Sequence, residues 1–262
     1  RQGRLALRKI TAGKENMVVE DSKGAQLEGR QPVREALLAN RPINKLFLAK
    51  GAKDLGPILD LARERGVVVE WTHRAKLDKL SGGRIHQGVI AQVAPYHYAE
   101  LEDLLTAEEP LLLILDGIED PHNLGSLLRT AESVGASGAV IPKRRAAPIT
   151  PTVEKAASGA LAHLPVARVS NLAQTIDELK EHGLWVVGCD MDGEQTLWEA
   201  DLTGPLAAVV GSEGSGVSRL VKEKCDFIVR LPMLGKISSL NASVAGGIVL
   251  YEVLRQRLAK KG

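Results

Sequence analysis

The chain has 262 residues, is 44% hydrophobic and 25% charged, and carries a formal net charge of +2. These are ordinary globular values, enough for one large domain or two small ones. No apolar run approaches the ~18 residues of a membrane helix, no secretory signal is expected, and Cys189 and Cys225 lack motif spacing, which reads as two reduced structural thiols in a cytoplasmic protein.

Residues 1–24, with Arg4, Arg8, Lys9, Lys14 and Lys23, are polar and basic with little periodicity and read as a flexible arm. From 25 to 94, helical and strand patterns alternate. Pro32 sits where a first helical turn starts, with Val33, Ala36 and Leu37 following at helical spacing. Lys45–Ala49 reads as a strand and Leu55–Arg65 as a helix ended by Gly66. Val67–Trp71 is β-prone, and Val89–Val93 closes a small α/β unit. Residues 95–110, with Pro95, a Tyr-His-Tyr stretch and acidic clusters, read as a linker between units that fold separately. A second α/β unit spans 111–262. Its strands are expected near Leu111–Leu115, Ala139–Ile141, Val166–Val169, Leu184–Cys189, Leu206–Val210 and Phe227–Leu231, with helices between them. That alternation implies a mainly parallel sheet covered on both faces.

The small net charge conceals a split. Residues 1–95 carry 18 Lys+Arg against 10 Asp+Glu, or +8, and residues 96–262 carry 16 against 22, or −6. A basic half joined to an acidic half points to a polyanionic partner for the first, the alternative being a merely solvated surface.

Three segments carry candidate chemistry. Over Asn123–Val134, Leu124, Leu127, Leu128, Ala131 and Val134 share one helical arc, and Ser126, Arg129, Thr130 and Ser133 the opposite one. Arg129 therefore points away from the local core, as a solvated residue or a ligand-facing one. The polar turn Asp116–Asn123 before it, leading from strand to helix, is where α/β folds place ligands. His122 is left open between a structural and a supporting role. Gly211-Ser-Glu213-Gly-Ser-Gly216 lies between a strand and a helix expected at Val217–Lys224, where glycines let backbone approach a ligand. The spacing is not that of a dinucleotide loop, and Arg230 and Ile237 rule out a phosphate-binding loop around Gly235-Lys236. Glu213 disfavours phosphate and suits an amine, a sulfonium or ribose hydroxyls. Pro232–Asn241 precedes a long helix, Asn241–Leu258. Its serines and asparagine either cap that helix or reach a ligand. Lys143, Arg144 and Arg145 suit phosphate contact or a solvated loop. Arg84 and His86 suit an RNA contact or a turn into the last strand of the first unit. No metal-ligand set is expected.

Together, Asn123-Leu-Gly-Ser-Leu-Leu-Arg129-Thr, Gly211–Gly216 and Pro232-Met-Leu-Gly235-Lys-Ile-Ser-Ser239-Leu-Asn241 resemble the three motifs of the SpoU (TrmH-like) RNA ribose 2'-O-methyltransferases, a branch of the SPOUT class. The match runs from about 110 to 258. Glu28-Gly-Arg30-Gln-Pro-Val33 and His86-Gln-Gly-Val-Ile-Ala91 resemble the L30e/L7Ae-like RNA-binding domain of the RlmB-like branch that acts on the ribosome. The resemblance implies a parallel sheet with a deep C-terminal trefoil knot, S-adenosylmethionine as cofactor, and a homodimer with its site near the interface. It implies that Gly211, Gly216, Leu231, Met233 and Leu240 contact the cofactor. Asn123, Arg129, Glu213, Ser239 and Asn241 would form the catalytic set, and Arg30, Arg84, His86, Lys143, Arg144 and Arg145 would bind RNA. The implied reaction is methylation of a ribose, guanosine in 23S rRNA being favoured over tRNA by the extra first unit. Arginine is a poor proton acceptor, so Arg129 is expected as an electrostatic clamp on the developing alkoxide and adjacent phosphate. The competing readings are a non-catalytic RNA-binding protein and a nucleotide-binding oxidoreductase or NTPase.

Overall fold

The computed structural model describes residues 26–39, 41–94, 96–236 and 239–261. The expected basic arm, 1–24, lies outside them.

The first unit runs β1 (Gln26–Glu28), α1 (Arg30–Leu38), β2 (Ile43–Ala49), α2 (Gly56–Glu64), β3 (Val69–Thr72), α3 (Arg74–Leu80) and β4 (Val89–Val93). Its sheet has the order β1-β4-β2-β3, antiparallel except for the β2–β3 pair. Strand alternation divides its core. Leu46, Leu48, Val89 and Ala91 pack against Val33, Ala36 and Leu37 of α1 and Ile58 and Ala62 of α2. Phe47 and Ile90, one residue out of phase, pack on the other face with Leu77 of α3. The expected helices and strands are present within a residue or two. The short β1 and the helix α3 carry no periodic signal strong enough to read.

The second unit continues with β5 (Leu111–Asp116), α4 (Pro121–Ser133), β6 (Gly138–Pro142), α5 (Pro151–Ala156), β7 (Val166–Val169), α6 (Leu172–Glu181), β8 (Trp185–Cys189), β9 (Gln195–Thr196), β10 (Leu206–Gly211), α7 (Arg219–Lys224), β11 (Phe227–Arg230) and α8 (Ala242–Lys261). The sheet is parallel throughout, in the order β7-β6-β5-β10-β8-β11-β9. Leu111, Leu113 and Leu115 face one core layer, with α4 and α8; Leu112 and Ile114 face the other, with α6 and α7. This two-sided burial explains why the strands read as continuous apolar runs. The order places the C-terminal ends of β5 and β10 side by side at the sheet centre, with Gly211 paired to Asp116. After β11, beyond β8, the chain returns so that α8 packs on α4 and β10.

The expected linker is a correction. Ala99 bridges to Ala167, Tyr98 Oη accepts from the Ile149 N–H at 2.9 Å, and Leu104, in a 3-10 turn over Glu102–Leu105, is fully buried. Most of residues 96–110 therefore belong to the second unit, and a cut at residue 100 would remove Tyr98 and Ala99 from its packing.

The two units are also joined directly. Arg41 Nη1 lies 2.5 Å from Glu154 Oε1, and Arg41 Nη2 donates to the Ala94 carbonyl at 3.1 Å. Lys155 Nζ donates to the Ile85 carbonyl at 2.9 Å, and His163 Nε2 lies 3.1 Å from Glu35 Oε2. Glu154 is only 4% exposed. Burial pushes its carboxyl above the usual range, against the opposing pull of Arg41. Arg41→Ala would leave Glu154 buried and unpaired, an arrangement that costs about 3–5 kcal/mol. Urea unfolding should show that loss, and a variant within 1 kcal/mol of wild type would mean that the pair does not hold the units together.

Candidate active site

The site forms where the ends of β5 and β10 meet the N-termini of α4 and α8. Asp120 caps α4, its Oδ1 accepting from the Asn123 N–H at 2.8 Å, which fixes Asn123 in the first turn. Asn241 caps α8: its Oδ1 accepts from the N–H groups of Ser243 at 3.0 Å and Val244 at 3.4 Å. Its other end looks inward. Asn241 Nδ2 donates to Asn123 Oδ1 at 2.9 Å and also to Glu213 Oε1. Asn123 Nδ2 donates to the same Glu213 oxygen at 2.8 Å, and the Ala242 N–H at 3.3 Å. Asn241 thus does two things, one with each end of its amide: its oxygen caps α8 and its nitrogen ties Asn123 to Glu213.

The 211–216 loop is closed on itself. The Ser212 N–H donates to the Gly216 carbonyl at 3.1 Å and the Gly216 N–H to the Ser212 carbonyl at 3.0 Å. Gly211 is buried against this closure, and a Cβ there would overlap the Gly216 carbonyl carbon and the Val217 nitrogen. Gly216 has φ +63°, and a Cβ there would overlap the Asp190 carboxylate. The loop is held from behind by residues that sequence reasoning missed. Asp190 Oδ2 accepts from the Val217 N–H at 2.9 Å, and Lys222 Nζ lies 2.9 Å from Asp190 Oδ1 and 3.2 Å from Asp192 Oδ2. Burial alone would raise the Asp190 carboxyl, but Lys222 and the N–H groups of Val217 and Asp192 outweigh it and hold it below its usual range. Asp116 Oδ2 takes the Ser218 N–H at 2.7 Å. An acidic residue just past a strand end was the available signal for Asp116 and Asp190.

Two cavities flank the loop. The first, about 330 Å3, is lined by the expected Gly211, Gly216, Leu231, Met233, Ser239 and Leu240, with Asp190, Asp192 and Lys222. The second, about 570 Å3, is lined by Asp116–Asp120, Asn123 and Arg145. Ser212, Glu213, Ser215, Gly216 and Ala242 belong to both. Both volumes fall in the range of small-molecule sites. Burial pushes the Cys189 thiol at the first cavity up to about 11 and Cys225 up to about 12, so both stay protonated at neutral pH and neither is a nucleophile.

The other expected residues are dispersed. Arg129 is exposed on α4, with Nη1 3.4 Å from Ser158 Oγ, and lines neither cavity. Arg30, 3.5 Å from Asp54, is at the surface of the first unit. Arg84 is exposed but paired with Glu28 at 2.6 Å. Lys143 and Arg144 are exposed beside Arg145. His86 is a correction: it is 2% exposed, its Nε2 lies 2.9 Å from Asp78 Oδ1, and its Nδ1 accepts from the Gly88 N–H at 3.0 Å. It shapes the turn into β4 and presents nothing to RNA. Among the described residues no group of His, Cys, Asp and Glu could hold a metal ion, and no helix is long and apolar enough to cross a membrane.

Comparison with known proteins decides the family. Residues 110–251 match the model of the SpoU rRNA methylase family, and residues 26–99 that of the RNA 2'-O ribose methyltransferase substrate-binding domain. The chain belongs to the SpoU family. YacO of Bacillus subtilis (strain 168), which bears a TrmH family tRNA/rRNA methyltransferase name, is 52% identical over 87% of this chain and 94% of its own. Among solved structures, the SpoU methyltransferase AviRb of Streptomyces viridochromogenes, in complex with AdoMet, superposes with a TM-score of 0.79 at 26% identity, covering 89% of this chain and 90% of that one. A further RNA 2'-O ribose methyltransferase superposes at 0.75 with 29% identity over 89% and 88% of the two chains. This SpoU protein is therefore an enzyme, an RNA 2'-O ribose methyltransferase that uses S-adenosylmethionine. The first cavity fits such a cofactor: it opens onto backbone at Gly211 and Gly216, and among the described residues its three carboxylates, on Asp190, Asp192 and Glu213, outnumber its one amine, on Lys222, as suits a sulfonium cation.

Proposed function

We propose that this SpoU enzyme 2'-O-methylates a guanosine ribose in 23S rRNA, acting as a homodimer in the cytoplasm, with its C-terminal segment knotted as the family resemblance implies. The observation that carries the site assignment is the hydrogen-bonded Asn123–Glu213–Asn241 cluster, whose Glu213 lines both cavities. The first cavity would hold S-adenosylmethionine, which supplies an electrophilic methyl group when bound. Gly211 and Gly216 would receive it along their backbone, and Leu231, Met233 and Leu240 would enclose it. The acceptor hydroxyl would give up its proton as its oxygen takes the methyl group, whose bond to sulfur breaks to leave a neutral thioether. Glu213 Oε1 is already occupied by three donors, which supports a strut rather than a base. Asn123 and Asn241, fixed by helix caps, would orient the ribose. Arg129, which lines neither cavity of its own protomer, would reach across the proposed dimer interface to steady the negative charge near the reacting oxygen, and a phosphate oxygen or water would take the proton. Ser239, exposed at the first cavity, would contribute a hydroxyl.

The first unit supports a large structured RNA as substrate, and its fixed docking through Arg41 and Lys155 supports a role in aiming that RNA. The test is to map ribose methylation in rRNA and tRNA from a deletion strain, and to restore it with the purified enzyme. Loss of one guanosine methylation in 23S rRNA is expected; loss confined to tRNA would reassign the substrate. Light scattering should give the mass of a dimer, and a monomer would remove that part of the proposal.

A further inference from the structure

The second cavity has no assigned occupant, yet it shares its wall, Ser212, Glu213, Ser215 and Gly216, with the first. If the methyl donor sits in the first cavity, the acceptor ribose must approach from a space that adjoins it, because the two reacting atoms have to touch. We infer that the second cavity receives the flipped target nucleotide, with Arg145 holding a flanking phosphate and Glu119 reading the donor edge of guanine. The inference rests on the methyltransferase reading above.

The chemistry of the wall selects the ligand. Among the described residues Arg145 is the one cation lining this cavity and forms no ion pair, although Asp116, Glu119, Asp120 and Glu213 line it too. It sits in the left-handed region at φ +57°, a conformation that arginine adopts only when the surrounding loop imposes it. An exposed guanidinium held at a cavity mouth suits a phosphate. The carboxylates differ in their availability. Asp116 spends Oδ2 on the Ser218 N–H and Asp120 spends Oδ1 capping α4. Glu119 takes no protein donor among the described residues and is exposed. A carboxylate only accepts, so it selects a base edge that offers paired donors. Guanine, with N1–H and N2–H side by side, offers two, whereas the corresponding edges of adenine, cytosine and uracil offer one donor beside acceptors. A nucleotide reaches such a pocket only by leaving its stack, and the cavity volume of about 570 Å3 accommodates one nucleotide.

The test uses the full-length enzyme, S-adenosylmethionine and a synthetic RNA spanning the mapped site, made with guanosine or with inosine at the target position. Inosine lacks the N2 amino group. Wild type should fall about tenfold in kcat/KM from guanosine to inosine, the size of one lost base contact. Glu119→Gln should lose about tenfold on guanosine and no longer tell the two apart. Arg145→Asn, chosen because asparagine tolerates the left-handed backbone, should raise KM for RNA severalfold and lower the salt slope of binding by about one. Both variants should bind S-adenosylmethionine as wild type does. A Glu119→Gln enzyme that still discriminates, a wild type indifferent to inosine, or ribose methylation at a nucleotide other than guanosine would overturn the inference and leave the methyltransferase reading intact. A wild type that methylates no RNA would overturn both.

Discussion

Arg129→Ala is expected to lower methyl transfer by about 10²–10³-fold, the loss of one electrostatic clamp in a transition state, with the fold and S-adenosylmethionine affinity nearly unchanged. The fold should tolerate the change because Arg129 lies on the exposed arc of α4, and the only hydrogen bond of its side chain among the described residues is to Ser158 Oγ at 3.4 Å. Leu124, Leu127, Leu128 and Ala131, which anchor the helix, lie on the opposite arc. Cofactor affinity should hold because Arg129 does not line the first cavity. The expected effect is therefore a fall in kcat in single-turnover assays on rRNA, alongside an unaltered calorimetric titration with S-adenosylmethionine. Near wild-type turnover would remove Arg129 from the mechanism.

Gly211→Val should instead abolish cofactor binding. The reason is the shape of the loop itself. A valine Cβ at this position overlaps the backbone of Gly216 and Val217, so the Ser212–Gly216 closure must open, and the contact from the Val217 N–H to Asp190 goes with it. The wall common to both cavities is then displaced, taking Glu213 with it. Backbone cannot yield as a flexible side chain can, so partial relief is not expected. Calorimetry should show no S-adenosylmethionine binding in a protein that circular dichroism finds folded. Unchanged affinity would mean that the 211–216 loop is a turn and not the wall of the cofactor site.

Much of the fold was legible because its signals are local. Leu111–Leu115 and Leu206–Val210 are buried on both faces, so each reads as an unbroken apolar run. The apolar stretches Leu46–Ala49 and Val89–Ala91 mark strands whose successive residues pack on the two faces of the first sheet. The strand β9, two residues long, and α3, with a single buried side chain at Leu77, give no period to detect. Residues 95–110 misread as a linker because proline and acidic residues signal solvent, while the anchoring contacts of Tyr98, Ala99 and Leu104 come from residues more than thirty positions away.

The sequence by itself marked the candidate segments: small and polar residues cluster at strand-to-helix turns where an apolar core does not require them, and their order along the chain marks the family. It could not determine which of those residues meet. Asn123 lies 90 residues from Glu213 and 118 from Asn241, and they touch only because the parallel sheet sets β10 beside β5 and returns α8 onto α4. The same strand order sets Asp190, at the end of β8, against Lys222 behind the loop, and in the first unit His86 turns inward onto Asp78. Hydrogen bonds and ion pairs act over about 3 Å, and nothing in the spacing of residues along a chain encodes distances of that kind until the strands have taken their places.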